Sequence, residues 1–165
     1  MDSQFELDLV ALVPRLRRFA YALTGSADEG DELVQDACER ALRGAESFQA
    51  GTRMDSWMFR IIQNLWLDSR RRAVRRGTSV ELELVQVSDA GLSAQRAEDR
   101  MTLARVRDQM ATLPREQRVV LALVAIEGLS YSETADILGV PIGTVMSRLS
   151  RARARLLSIV QDREG

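Results

Sequence analysis

Thr144, Ser147 and four arginines, at 148, 151, 153 and 155, lie in a stretch, 141–160, that holds no acid. The chemistry open to such a set is recognition of an anion, not bond making. A guanidinium donates two parallel hydrogen bonds to a phosphate or a guanine edge, and a short hydroxyl donates to either. On a helix, Ile142, Thr144, Ser147, Arg148 and Arg151 fall on the side and rims that Val145, Leu149 and Ala152, spaced by four and three, leave free. A solvated or ion-paired outer face would also carry four arginines. The residues just before them favour DNA: Ser130 and Glu133 fit a capping box, Ala135, Ile137 and Leu138 continue a short helix, and Gly139 permits a tight turn. Pro141 or a neighbour then opens the second helix. That order predicts a helix-turn-helix, with Ala135, Leu138, Val145, Leu149 and Ala152 buried and the start of the second helix free for a major groove.

Bond-making chemistry finds little material. Histidine is absent and Cys38 is the only cysteine, which excludes an intramolecular disulfide and any Cys/His zinc site. Cys38, between Ala37 and Glu39, reads as a small packed side chain. The carboxylate pairs Asp28/Glu29 and Asp31/Glu32 have no nucleophile near them in sequence and read as a solvated helix face. No phosphate-loop pattern occurs. No enzyme, cofactor or metal is expected.

Charge is distributed unevenly beneath a net of −1. Residues 60–76 hold six arginines against Asp68, whereas residues 77–100 hold five acids against two arginines. Two basic patches around an acidic segment create a local field that the sum hides. All 23 basic residues are arginine, a bias that genomic base composition explains as well as function does.

Helices must position these groups. Leu9, Leu12, Leu16, Phe19 and Leu23 form one stripe, with Pro14 marking a start or a kink and Gly25 an end. A second helix runs from Asp28 to Arg43 around Leu33, Ala37 and Ala41. A loop, 46–52, carries an exposed-looking Phe48, and a third helix from about Arg53 places Trp57 and Trp66 in its apolar stripe, both as core residues first. Residues 77–100 read as an acidic linker, with a brief strand signal in VELELVQV. Met101, Leu103, Val106, Met110 and Leu113 open a second domain, and Pro114 suits the first turn of the next helix, Arg115 to Ile126, which Glu127 and Gly128 end. The expectation is an all-α chain of two small helical domains, 1–76 and 101–165, joined by a flexible linker. With 165 residues, no apolar run near the roughly 20 residues that cross a bilayer and an acidic start, the chain reads as cytoplasmic, without membrane insertion.

Taken together, DELVQDACERAL at 31–42, the loop around Phe48, WMFRIIQNLWLDSRRR at 57–72 and LPREQRVVLALVAIEGLSYSETADILGVPIGTVMSRLSRARARL at 113–156 closely resemble the extracytoplasmic-function group of bacterial sigma-70-type sigma factors. That resemblance implies a specificity subunit of RNA polymerase built from region 2 and region 4, with no catalytic residues of its own. By the same resemblance, Asp31, Glu32, Leu33, Gln35 and Asp36 dock on core RNA polymerase. Phe48, Gln49 and Arg53 capture a flipped base of the −10 element, and Asn64, Asp68, Arg71 and Arg72 lie on melted promoter DNA. Ile142, Thr144, Ser147, Arg148 and Arg151 read or grip the −35 element. The linker is expected near the polymerase channels, and an anti-sigma factor is expected as inhibitor. Met54 and Met58 depart from the more usual small or aliphatic residues near Trp57. Two rival readings remain: a sigma-mimicking decoy that binds the inhibitor, which has no need of the basic faces, and an autonomous helix-turn-helix repressor, which ordinarily needs a dimerisation surface.

Overall fold

The computed structural model describes residues 3–75, 105 and 107–164. The linker reading for 77–100, the strand signal within it, and Met101, Leu103 and Val106 lie outside the described residues.

All described regular elements are helical. The first cluster holds α1 (Ser3–Thr24), α2 (Ala27–Arg43), a 3-10 turn (Ala45–Ser47) and α3 (Met54–Arg75), each long helix packed on the other two. α1 starts well before Pro14, because the apolar stripe extends back to Phe5 and Leu9, both buried. Pro14 removes the hydrogen bond that would reach the carbonyl of Val10. Val10 is 68% exposed, so that carbonyl lies on the solvent side and the helix continues. Leu16, Phe19, Leu23, Met58, Phe59 and Ile62 are fully buried between α1 and α3, each worth about 1.5–3 kcal/mol of burial. Phe19 and Phe59 meet edge-to-face at 4.9 Å.

α2 begins at Ser26, whose side chain accepts from the Glu29 N–H, with Asp28 and Glu29 in the first turn and Arg40 and Arg43 in the last. It approaches α1 closely at Gly30, where a Cβ would come within 2.3 Å of the Tyr21 ring.

The second cluster contains a helical stretch at 107–111, α4 (Arg115–Leu121), α5 (Tyr131–Leu138) and α6 (Ile142–Glu164). α4 does not continue as regular α-helix to Ile126. Its last part, Ala122–Ile126, is π-helical, and the Glu127 N–H reaches the Ala122 carbonyl at 3.0 Å. Ser130 and Glu133 form the capping box of α5, and Gly139, at φ 65°, takes the left-handed conformation that turns the chain toward α6. Pro141 precedes α6, its carbonyl accepting from Thr144 and Val145. Ala135, Ile137, Val145, Leu149 and Ala152 are buried, and Leu138 is half-buried.

The clusters touch. α1 packs against α4 and the π-helical segment, and α3 packs against α5.

Candidate nucleic-acid interface

The recognition helix presents its polar residues unevenly. Ser147 and Arg151 are exposed, Ile142 is 49% exposed, and Thr144 and Arg148 are half-buried. Val145, Leu149 and Ala152 anchor the opposite side, which fixes the direction in which this row points. Ser147 Oγ donates to the Thr144 carbonyl at 3.1 Å. Arg148 Nε lies 3.8 Å from Glu116 of α4, so the acid-free stretch meets an acid from another helix. Glu116 is well exposed, which makes this a weak, exchangeable pair.

The acidic face of α2 is partly what its sequence implied. Asp31, Glu32, Gln35 and Asp36 are exposed. Leu33 is 8% exposed and belongs to the core, because its position in the helical repeat coincides with the buried stripe of Gly30, Val34, Ala37 and Ala41. Asp31 accepts from the Tyr21 hydroxyl at 2.6 Å and from Arg17 Nε at 2.9 Å. These two bonds, Tyr21 first, hold its carboxyl below the ordinary carboxylate range. Cys38 is half-buried, and burial pushes its thiol up, as a packed and unreactive side chain requires.

Phe48 is half-buried, not a free loop tip. It lies 5.7 Å from Phe5 and 5.1 Å from Trp57, and Phe5 is also 6.1 Å from Trp57. Trp66 is buried, while Trp57 is half-buried because this aromatic cluster sits at the loop end of α3, away from the centre of the core. Gln49 and Arg53 are exposed. Along α3, Asn64 accepts from the Gln63 amide at 2.7 Å, and Asn64, Asp68 and Arg71 are exposed. Arg72 lies on the same helix, with its side chain outside the described set.

A cleft of about 630 Å³ separates the loop and the start of α3 from α5, with Phe48, Gln49, Arg53 and Trp57 on one wall and Glu133, Asp136 and Ile137 on the other. Of the −10 candidates, Phe48, Gln49 and Arg53 therefore face α5 of the helix-turn-helix. Arginines cross the gap. Arg60 Nη2 donates to the Asp136 carbonyl at 2.7 Å, and Arg53 Nη1 donates to Glu133. Arg53 Nη2 also donates to Asp55 at 2.7 Å, Arg15 Nη1 to Asp55 at 3.2 Å, and Arg15 Nε to Glu127 at 3.4 Å. Arg18 completes the row, donating to both oxygens of Glu127 at 3.1 and 2.9 Å.

The result is an alternating series: Glu133, Arg53, Asp55, Arg15, Glu127, Arg18. The Glu127 side chain is fully covered and Asp55 is 8% exposed. Burial alone would raise the Asp55 carboxyl, but donors from Arg53, Ser56 and Arg15 outweigh it and hold the group below its ordinary range. Glu133 is held low as well, chiefly by the Ser130 bonds of the capping box.

A buried cation joins the two clusters. Arg118, 5% exposed, donates to the carbonyls of Leu23, at 2.7 Å, Ala111 and Leu113, and stands 5.5 Å over the Trp66 ring. The sequence singles out Arg53 and Glu133 only for other roles, while Arg118 is one arginine among many and Glu127 reads only as a helix end. Among the described residues there is no cluster able to hold a metal ion, and no helix long and apolar enough to cross a membrane.

Comparison with known proteins matches this architecture on both halves. Residues 103–156 match the family described as Sigma-70, region 4, and residues 9–63 match the family described as Sigma2 domain of PhyR. The chain is 36% identical over 155 residues to the ECF RNA polymerase sigma factor EcfG of Rhodopseudomonas palustris, covering 93% of this chain and 83% of that one. It is 36% identical over 146 residues to the ECF RNA polymerase sigma factor SigM of Mycobacterium tuberculosis, covering 88% and 71%. Among solved structures it resembles the sigma factor RpoE of Bartonella quintana, crystallised with the anti-sigma factor NepR, at a TM-score of 0.80 and 29% identity over 97% of this chain and 98% of that one. A helix-turn-helix behind a three-helix cluster, with no catalytic constellation in its sequence, is thus also a matter of descent: the chain belongs to the extracytoplasmic-function group of bacterial sigma-70-type RNA polymerase sigma factors, transcription factors and not enzymes.

Proposed function

We propose that this chain binds core RNA polymerase through the exposed acids and Gln35 of α2, grips the −35 element with α6, and uses the loop at 48–53 with the polar face of α3 to engage and open the −10 element. The observation that carries the reading is the row Thr144, Ser147, Arg148 and Arg151, held outward on α6 by the buried Val145, Leu149 and Ala152. In this reading the polymerase supplies the nucleotidyl transfer, and the work of the chain is positional. Its two domains divide it, region 2 within residues 1–76 and region 4 within 101–165, acting in the cytoplasm where the promoter is. Leu33 supports the docking face from beneath and makes no contact of its own. An anti-sigma factor is the expected regulator, since RpoE, similar to this chain, was crystallised with the anti-sigma factor NepR, and CnrH, also similar, has a structure in complex with the cytosolic domain of CnrY.

Purified core polymerase, with and without the chain, incubated with a genomic promoter library and followed by sequencing of transcript starts, tests the proposal. Discrete new starts sharing two upstream elements are expected. A second reading draws on the match of residues 9–63 to the Sigma2 domain of PhyR and on a 25% identical likeness to PhyRSL in its complex with NepR from Sphingomonas. In it the chain is a decoy for the inhibitor. Absence of both core binding and new starts would favour that reading.

A further inference from the structure

Resting on the reading above, we propose that Tyr21 and Arg17 of α1 are positioning residues of the core-docking face, holding the Asp31 carboxylate in the one direction in which it meets the polymerase. The face otherwise belongs to α2. Its other exposed polar groups, Glu32, Gln35 and Asp36, have no side-chain hydrogen bond or ion pair among the described residues, so each is free to change rotamer. Asp31 is held. Its Oδ1 accepts from the Tyr21 hydroxyl at 2.6 Å and from Arg17 Nε at 2.9 Å, and its Oδ2 accepts from Arg17 Nη2 at 3.4 Å. Arg17 also donates to the Tyr21 oxygen, from Nε at 3.0 Å and from Nη2 at 2.7 Å, with its guanidinium carbon 5.6 Å from the ring centre.

The two holders are themselves fixed. They stand one turn apart on α1, and the Tyr21 ring lies against α2 at Gly30, in the space that a Cβ would fill. Burial first, then the bond to Asp31, push the Tyr21 hydroxyl above its ordinary value, so it stays a donor at neutral pH. The Arg17 and Asp31 side chains nevertheless remain about half exposed, at 50% and 48%. The carboxylate is thus directed without being withdrawn from a partner. Rotamer freedom that Glu32 and Asp36 must give up on docking has been given up in advance by Asp31. Arg17 has a second effect of opposite sign, since its cation sits within an acidic face and weakens the attraction of that face for a basic partner. Holding and steering therefore separate in the two rate constants.

The test measures association and dissociation of the full chain on immobilised core RNA polymerase, for the unmodified chain, Tyr21→Phe, Asp31→Ala, their double variant and Arg17→Gln. Phenylalanine keeps the ring on Gly30 and removes only the hydroxyl. Tyr21→Phe should weaken affinity about fivefold, mostly through faster dissociation, and Asp31→Ala should weaken it at least as much. In the double variant the hydroxyl has no carboxylate to hold, so its affinity should equal that of Asp31→Ala. Arg17→Gln should associate about twofold faster at about 50 mM salt, an advantage lost by about 500 mM, and should dissociate faster at both.

A Tyr21→Phe loss that persists beside Asp31→Ala overturns the proposal, because a merely structural hydroxyl acts whether or not the carboxylate is there. No loss in Tyr21→Phe, or none in Asp31→Ala, overturns it as well. Arg17 is exposed and its replacement gives an independent result: unchanged dissociation overturns its part in the holding. If the unmodified chain fails to bind core polymerase, the sigma reading falls and this proposal falls with it. Binding with additive losses overturns only the proposal.

Discussion

In the proposed reading, Arg148 exchanges an acid of its own chain for DNA. Its acid partner, Glu116 at 3.8 Å, is exposed, so that on the proposed function a groove phosphate or guanine edge would displace it. Arg148→Ala should weaken promoter binding by about tenfold, within the roughly 1–3 kcal/mol range of one such contact, and leave core-polymerase affinity unchanged. Fluorescence anisotropy on a promoter fragment, beside a core-binding assay, checks it, and equal losses in both would remove Arg148 from the DNA face. Asp55 and Asp31 set the acid limit. Both have folded values lower than in the unfolded chain, so the stability they contribute is present above about pH 4 and disappears as pH falls through those lower values. The melting temperature should therefore decline below about pH 4. Asp55→Asn should start lower at neutral pH and decline less steeply, and an unchanged slope would acquit Asp55.

The helices themselves were the legible part of the chain. Capping at Ser130, the turn at Gly139 and the stripe from Leu9 to Leu23 depend on residues three or four apart, and such spacing survives in a linear reading. Two elements escaped it for local reasons of another kind. α1 passes through Pro14 because the omitted bond falls on its solvent side, and the end of α4 widens into a π turn whose register no propensity announces. Of the candidate site, the arginine row on α6 and the apolar stripe of α2 with Leu33 could be read directly, whereas Phe48 packed on Phe5 could not, since that contact depends on a neighbouring helix. Gly30 is a further case. A methyl there gains helix propensity of up to about 1 kcal/mol but meets the Tyr21 ring at 2.3 Å, and that ring cannot retreat without loosening its hydroxyl from Asp31. Gly30→Ala should therefore be net destabilising by about 1–2 kcal/mol in denaturant melts, with a stable variant showing that α1 and α2 have room to part.

At the scale of the molecule, the contacts between the clusters are the least predictable from sequence and the most consequential. Arg15 and Glu127 are 112 residues apart, Arg53 and Glu133 are 80, and no local pattern links them. Arg118 is the strongest of these ties. Replacing it with Leu keeps much of the volume but leaves the Leu23, Ala111 and Leu113 carbonyls without its hydrogen bonds, which should cost about 2–4 kcal/mol. Arg118→Leu should lower the melting temperature and expand the chain in small-angle scattering, whereas a compact variant of unaltered stability would show that the apolar contacts suffice. The same arginine also orders events in time. During synthesis the first three helices leave the ribosome before it, so α1 must wait for the bond that Arg118 makes to Leu23. At about 5–20 residues per second that interval spans several seconds. For that period the nascent first domain exposes the surface that the second will cover, and it is there that a chaperone, or a misdirected neighbour, has its opportunity.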